Sequence, residues 1–338
     1  MRLVSTLIIS IVFFLFLSGA AFADDPPELK SQIGATIQSM FSMDQNDNAT
    51  NMGFGIRRVR ARWYAQYDKA KLFIQTELTS YSLLDARLEY HFSDAFNVKA
   101  GRFIGAGVRS GGLTSHTVID IIERPFTARR WGAMTVGGDY RDYGVELEGN
   151  TGDLTGRLWI HNGDGSLNNR NLAGSSASTD FTAQVVDAMV VYKPASVKGL
   201  EIGGHYGIGK KDSVSTSSLE KDYNSFSAFA YYNPGGFQLK GEVIGLTNNL
   251  SDVSTMGYYV FGGYSITNTI ELLARFENYD PNTDVDTNEL SFITLGAALR
   301  DIGNNHKVTA AIVLADNKAT DFQDTIFQVM WQFVFKTK

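Results

Sequence analysis

Apolar and polar residues alternate along many short segments of this chain, and this alternation limits most strongly the folds that it can adopt. Between residues 84 and 92 the even-numbered positions are apolar or aromatic, whereas the odd-numbered ones are Asp85, Arg87, Glu89 and His91. A period of two is the pattern of a β-strand with one apolar and one polar face. Such strands predict a sheet that is apolar on one side and ionic on the other.

Roughly sixteen segments show this pattern, and they are separated by turn residues. An even number of strands is expected of a closed antiparallel barrel that crosses a membrane. The predicted strands are Ile33–Phe41, Val59–Tyr67, Leu72–Ser80, Leu84–Phe92, Phe96–Phe103, Tyr143–Gly149, Leu154–Asn162, Phe181–Lys193, Leu200–Ile208, Tyr223–Tyr232, Phe237–Leu246, Met256–Tyr264, Ile270–Tyr279, Ser291–Leu299, Lys307–Ala315 and Thr325–Phe335.

The connections between these segments alternate in length. Tight turns such as Asp68–Ala70 and Asn233–Gly236 alternate with longer polar loops, which are Ser42–Met52, Asp164–Asp180, Lys210–Lys221 and Asp280–Asn288. Short periplasmic turns and long external loops give this rhythm in outer-membrane barrels. The sequence therefore predicts an all-β fold, a transmembrane antiparallel β-barrel of about 16 strands. A soluble exported sandwich is the alternative, but it does not require such regular alternation.

The N-terminus has the features of a secretory signal peptide. Arg2 precedes an apolar run from Leu3 to Leu17, and Ala21-Phe22-Ala23 follows as a small-residue cleavage site. The run is shorter than the ~20 residues that a spanning helix needs. We expect a signal peptide over 1–23, a short periplasmic segment over 24–31 and an outer-membrane barrel over 32–338.

The charge balance and the cysteine content argue against two classes of protein, nucleic-acid-binding proteins and secreted domains held together by disulfides. The chain has 30 basic and 36 acidic residues, and loss of Arg2 with the signal peptide leaves 29 against 36, a formal net charge of −7. This balance argues against nucleic-acid binding. The chain has no cysteine, so strand pairing rather than disulfides must hold an exported fold together.

An arginine row follows the polar face of the second predicted strand. Arg58, Arg60 and Arg62 share one parity and are spaced about 6.6 Å apart by the rise of a strand. If the apolar face meets lipid, these guanidinium groups point into the lumen and form a track for anions. Arg57 has the opposite parity, so it lies at the outer rim or a subunit contact unless a bulge intervenes. Further basic candidates for the pore wall are Arg87, Lys99 and Arg157.

A mixed-charge wall is the alternative to an anion track. In that arrangement the arginines pair with neighbouring carboxylates and leave no preference. The carboxylates predicted on the same face are Glu77, Asp85, Glu89, Glu146, Glu148, Glu242, Glu271 and Glu277. The sequence leaves both arrangements open.

The longest connection runs from Ile104 to Asp139 and contains an apolar cluster of Val118, Ile119, Ile121 and Ile122. An external loop has no need of such a cluster. We predict that this third loop folds into the lumen, packs its isoleucines against the wall and lines a constriction with its charges. A cap on the rim or a subunit-contact loop is the alternative. The charged candidates are Arg109, Asp120, Glu123, Arg124, Arg129 and Arg130.

No pattern in the sequence indicates catalysis, a metal or a cofactor. The five histidines are scattered without the spacing of a zinc site. Ser115-His116 is the one adjacent serine and histidine pair, and adjacency in sequence is poor evidence for a catalytic triad. We expect a protein that is not an enzyme.

Several motifs, taken in order, resemble the phosphate-selective porin O and P family. They are Phe54–Arg60, Asp85–Tyr90, Val98–Phe103, Glu123-Arg124, Arg141–Val145 and Asn162–Gly165. The resemblance implies a homotrimer of sixteen-stranded barrels, each with its own channel and an inward loop. Arg102 stands where that family usually has Gln.

These observations predict a porin for passive diffusion of small hydrophilic solutes, with an anion preference that extends to phosphate-like ions. The expected partners are outer-membrane lipid, lipopolysaccharide and the small anionic or hydrophilic solutes themselves. A weakly selective general pore is the nearest alternative. A barrel hydrolase and a plugged structural or adhesive barrel are the alternatives from other classes.

Overall fold

In the part of the chain that the structure describes, sixteen antiparallel strands form one closed barrel, which confirms the predicted strand count and fold class. The computed structural model describes residues 27–46, 49–163, 184–210, 222–302, 305–320 and 322–337. The predicted signal peptide, the loop Asp164–Asp180 and most of the loop Lys210–Lys221 lie outside these ranges. The strands are β1 Lys30–Asn46, β2 Thr50–Tyr67, β3 Ala70–Glu77, β4 Ser82–Ser93, β5 Phe96–Phe103, β6 Asp142–Thr151, β7 Leu154–His161, β8 Gln184–Tyr192, β9 Leu200–Lys210, β10 Tyr223–Tyr232, β11 Phe237–Asn248, β12 Val253–Ser265, β13 Ile270–Asp280, β14 Leu290–Ile302, β15 His306–Asn317 and β16 Phe322–Lys336.

Pairing between the first and last strands closes the barrel. Each strand pairs with its neighbour in the chain, and β1 pairs with β16 from Gly34 opposite Lys336 to Asn46 opposite Asp324. Closure satisfies the backbone hydrogen bonds of every strand and leaves no sheet edge.

Burial alternates along the strands as the period of two predicts. On β16, Met330 and Gln332 are 2% and 4% exposed, whereas Trp331 is 56% exposed. On β12, Tyr259 and Phe261 are buried, whereas Tyr258 and Val260 are exposed. The outer face is therefore apolar and open, and the inner face carries the polar and ionic side chains.

The predicted loop Ser42–Met52 is wrong. The ladder continues there through pairs such as Met43 with Met52, and β1 and β2 extend to Asn46 and Thr50. The apolar side chains of this region stabilise the longer hairpin, since the rings of Phe41 and Phe54 lie 5.0 Å apart.

The connection between β5 and β6, residues 104–141, is here called the inserted segment. It contains helix α1, Phe126–Met134, which the sequence patterns did not predict. No helix of the described residues is long and apolar enough to cross a membrane. Ile121 and Ile122 are each 1% exposed and share a buried cluster with inner-face residues such as Tyr259. This apolar cluster joins the segment to inner-face residues of β5 and of most strands from β7 onward.

Candidate functional site

A cavity of about 430 Å³ lies between the inner faces of β2 to β7 and the inserted segment. It brings together six of the seven basic wall residues predicted from the sequence, and Arg124 of the segment. The predicted basic residues that line the cavity are therefore Arg58, Arg60, Arg62, Arg87, Lys99, Arg124 and Arg157.

A β-bulge determines where Arg57 lies. The register of β1 against β2 shifts between Gln38, opposite Arg58, and Ser39, opposite Ile56, so Arg57 is the extra residue. The Nη1 atoms of Arg57 and Arg58 both donate to Oε1 of Gln38 at 3.1 Å. Arg57 also forms an ion pair with Glu123 of the inserted segment at 2.6 Å. The bulge therefore places Arg57 on the inner face and not at the outer rim.

Five cationic side chains of the cavity pair with carboxylates, as in the mixed-charge alternative. Arg60 Nε donates to Glu77 Oε2 at 2.8 Å, and Lys99 contacts Glu146 and Glu148, each at 2.8 Å. Arg157 contacts the same Glu148 at 2.9 Å. The remaining two are Arg87, which is 3.5 Å from Glu89, and Arg141, which is 2.9 Å from Asp85.

Arg58 and Arg62 have only neutral partners among the described residues. Arg58 donates to the Gln38 carboxamide, and Arg62 Nη2 donates to the Thr36 hydroxyl at 2.6 Å and the Ala35 carbonyl at 3.1 Å. These contacts fix the direction of both guanidinium groups without neutralising their charge. The two ends of the predicted row therefore differ from its centre, Arg60.

The inserted segment supplies a third cation whose hydrogen-bond partners are neutral. Arg124 donates to the carbonyl oxygens of Gly111, at 2.8 Å, and Thr114, at 2.5 Å. Burial, opposed by nearby Tyr140, lowers the pKa of Arg124 to about 10, so its guanidinium stays protonated at neutral pH. Burial beside Arg60 and Arg62 also lowers the pKa of His116 far below its ordinary value. His116 is therefore a neutral group among cations.

The cavity carries a surplus of positive charge. Within the described residues, nine cationic side chains and six carboxylates line it or pair with a residue that does. The surplus of three consists of Arg58, Arg62 and Arg124.

The other predicted loop residues do not line this cavity, and three of them pair with the wall. Arg109 pairs with Glu201 of β9, and Asp120 pairs with Lys240 of β11. Burial opposes the charge of Glu123, but the cation of Arg57 keeps the pKa of Glu123 below its usual range. Arg129 lies 5.3 Å from the ring of Phe126. Arg130 is exposed on α1.

The cavity residues that the sequence analysis did not single out include one basic residue and two aromatic residues of the barrel wall. Arg141 lies just before β6, outside any alternating pattern, and only the family-like motif Arg141–Val145 includes it, without indicating a place in the pore wall. Tyr64 has the parity of Arg58, Arg60 and Arg62, and Phe73 has the parity of Glu77. The alternation of inner and outer side chains alone places both rings on the inner face.

Comparisons with known proteins agree with the fold. No protein-family model matches the chain, and no curated protein matches it either. Among solved structures, an anion-selective porin from Comamonas acidovorans is 15% identical, with 91% of this chain and 100% of that chain covered and a TM-score of 0.71. Salmonella typhi OmpF in complex with daunomycin is 12% identical, with 92% and 99% covered and a TM-score of 0.62. A trimer form of Vibrio cholerae OmpT is 13% identical, with 92% and 100% covered and a TM-score of 0.59. The fold is that of bacterial outer-membrane porins.

Proposed function

We propose that this protein is an outer-membrane porin through which small hydrophilic solutes diffuse passively, with a preference for anions. The surplus of Arg58, Arg62 and Arg124 around the cavity carries the proposal. Fixed cations in a narrow aqueous passage concentrate anions and repel cations. Guanidinium groups suit phosphate and carboxylate oxygens because they donate several hydrogen bonds in one plane. Phosphate-like ions are therefore among the expected solutes.

The inserted segment narrows the passage from within the lumen. Its contacts with two strands support this placement. Asp120 binds Lys240, and the carbonyl of Ile119 accepts from Lys307 at 2.7 Å. Both lysines lie near the starts of their strands, β11 and β15, at the barrel end that carries the tight turns. A cap resting on the opposite rim does not reach these positions, so the passage is confined to the side of β2 to β7.

The same segment accounts for an anion preference in a wall that contains many carboxylates. Glu242 accepts hydrogen bonds from the backbone N–H groups of Arg109 and Ser110, at 2.7 and 2.9 Å. Glu277 accepts from the backbone N–H of Phe126, the first residue of α1, and pairs with Arg275 at 2.7 Å. These acids are covered by the segment, so they do not offset the arginines in the passage.

The location and assembly follow from the same proposal. We place the barrel in the bacterial outer membrane, after cleavage of a signal peptide over residues 1–23, with its apolar outer face against lipid and lipopolysaccharide. A homotrimer is the expected assembly, since one structurally similar protein, OmpT of Vibrio cholerae, is described in a trimer form. The anion preference has a parallel in the anion-selective porin from Comamonas acidovorans.

Catalysis is not part of the proposed function. Ser115 Oγ lies 3.0 Å from the hydroxyl of Thr117, an arrangement that differs from a serine activated by its neighbour His116. A plugged structural barrel is also disfavoured, because the cavity adjoins a second one of about 560 Å³ that is lined by residues 28–32 and by side chains of β2, β3 and β4.

Conductance of the purified protein in a planar lipid bilayer tests the proposed function. We expect stepwise increases in current, in groups of three if the trimer inserts as a unit, and no steps with heat-denatured protein. A folded protein that inserts without passing current would be a plugged barrel, and the porin proposal would fail.

A further inference from the structure

Two aromatic rings lie on the inner face of the barrel, directly beside the arginine row. Tyr64 of β2 and Phe73 of β3 are opposite each other in the strand register, and their ring centroids are 4.6 Å apart with an angle of 31° between planes. Both side chains are only half-buried. The inner-face rings of β10 and β12, in contrast, are buried in the core formed with the inserted segment.

Cations flank this ring pair on both sides. Arg87 of β4 is opposite Phe73, and its Cζ atom lies 5.3 Å from the centroid of that ring. Nζ of Lys336, at the end of β16, lies 5.3 Å from the centroid of the Tyr64 ring. Both distances fall within the range of cation–π interactions. Among the described residues, Glu89 is the one carboxylate that lines both cavities, and it contacts Arg87 and His91.

The ring pair lies where the two cavities meet. Tyr64, Phe73, Arg87 and Glu89 line both the arginine-rich cavity and the adjoining one. Tyr64 follows Arg62 by two residues on the same face, so its ring is about 6.6 Å further along the strand. That spacing is on the scale of one benzene ring that carries a carboxylate. A solute moving along this wall meets guanidinium groups and aromatic rings in succession.

We infer that the solutes best accepted by this passage are carboxylates that carry an aromatic ring, of the benzoate type. This inference rests on the proposed anion-preferring pore and specifies its substrate class. The carboxylate accepts hydrogen bonds from Arg62 or Arg87, while the ring contacts the Tyr64–Phe73 pair in an offset or edge-on arrangement. Small inorganic anions interact with the cations only and gain nothing from the rings.

The permeability of benzoate relative to acetate tests the inference. Reversal potentials measured with potassium salts give this ratio for the wild-type pore and for a Tyr64→Leu/Phe73→Leu variant, which keeps apolar bulk but removes both rings. Aromatic contacts contribute about 0.5–1.5 kcal/mol, so we expect the ratio to fall by about two- to tenfold in the variant. The chloride-to-potassium ratio of the variant is recorded in the same experiment and shows whether its cations still select anions. Tyr64→Phe is the matched control, because it retains the ring, and its ratio should equal that of the wild type.

Failure of this inference is distinguishable from failure of the proposed function. If the wild-type pore prefers chloride over potassium but the benzoate-to-acetate ratio is the same with and without the rings, the ring pair plays no part in selection. A second measurement needs no variant. Benzoate should reduce the wild-type chloride current at concentrations where acetate and glucose have little effect. Equal reduction by glucose or acetate would overturn the inference.

Discussion

Removal of the inserted segment is expected to raise the single-channel conductance several-fold and to shift the reversal potential toward cations. Phe103 and Asp142 are opposite each other at the ends of β5 and β6, so a short Gly-Ser turn can replace residues 106–138. The conductance rises because the lumen of a 16-stranded barrel is wide enough for an aqueous channel once nothing fills it. Selectivity falls because Arg124 is lost and the carboxylates of Glu242 and Glu277 become exposed.

A shortened external loop is the matched control for this excision. Residues 281–289 connect β13 to β14, and their replacement by a turn should leave conductance and selectivity unchanged. Circular dichroism of both variants checks that the sheet still forms. A folded excision variant with wild-type conductance would show that the segment does not limit the passage.

Replacement of Arg58 and Arg62 by alanine is expected to lower the chloride-to-potassium permeability ratio by several-fold. A unit charge about 7 Å from a permeating ion contributes about 0.6 kcal/mol in bulk water, which is about a threefold effect. Each charge attracts chloride and repels potassium, so two such charges change the ratio by about fiftyfold without added salt, and salt screening reduces the change to several-fold. The measurement is the reversal potential of Arg58→Ala/Arg62→Ala under a potassium chloride gradient, with the conductance recorded to check pore formation. An unchanged potential would exclude the arginine row as the source of selectivity.

Arg60→Ala is the contrasting variant. Arg60 is paired with Glu77 at 2.8 Å, and both side chains are largely buried. Removal of the cation leaves a carboxylate without its partner, which costs about 3 kcal/mol where the site is fully buried. Arg60→Ala should therefore lower the midpoint of thermal unfolding more than Arg58→Ala, whose partner Gln38 is neutral. Equal midpoints would contradict the division of the row into paired and unpaired members.

The barrel itself was predictable because its signal is local. Each strand exposes one face to an apolar surrounding, so the period of two appears within the strand's own sequence. All sixteen strands were located in this way, with errors at their ends. The largest error, at Ser42–Met52, arose because polar residues such as Asp44 and Gln45 suggest a loop, although cross-strand pairing continues through them.

The electrostatics of the site were less predictable because they depend on register between strands. Parity placed Arg58, Arg60 and Arg62 on one face, but only the register shows that Arg60 is opposite Glu77. The bulge at Arg57 reverses the alternation of inner and outer side chains at that point, and no residue type in β2 indicates that a bulge is present. Whether a carboxylate faces the passage or binds the inserted segment, as Glu242 does, depends on contacts between residues more than a hundred positions apart.

The inserted segment was recognisable only by its isoleucines. Ile119, Ile121 and Ile122 are buried, whereas Val118 is 60% exposed. The helix α1 was not predicted because its sequence, with Arg129 and Arg130 adjacent and glycine at 132, has no clear amphipathic period. Its position depends on tertiary contacts, including that of Glu277 with its first backbone N–H group.

The reversal potential of the wild-type pore under a potassium chloride gradient tests the central claim most directly. The surplus of Arg58, Arg62 and Arg124 predicts a potential with the sign set by chloride, and a larger magnitude at low ionic strength, where fixed charges are less screened. A potential near zero, or one with the sign set by potassium, would contradict an anion-preferring pore.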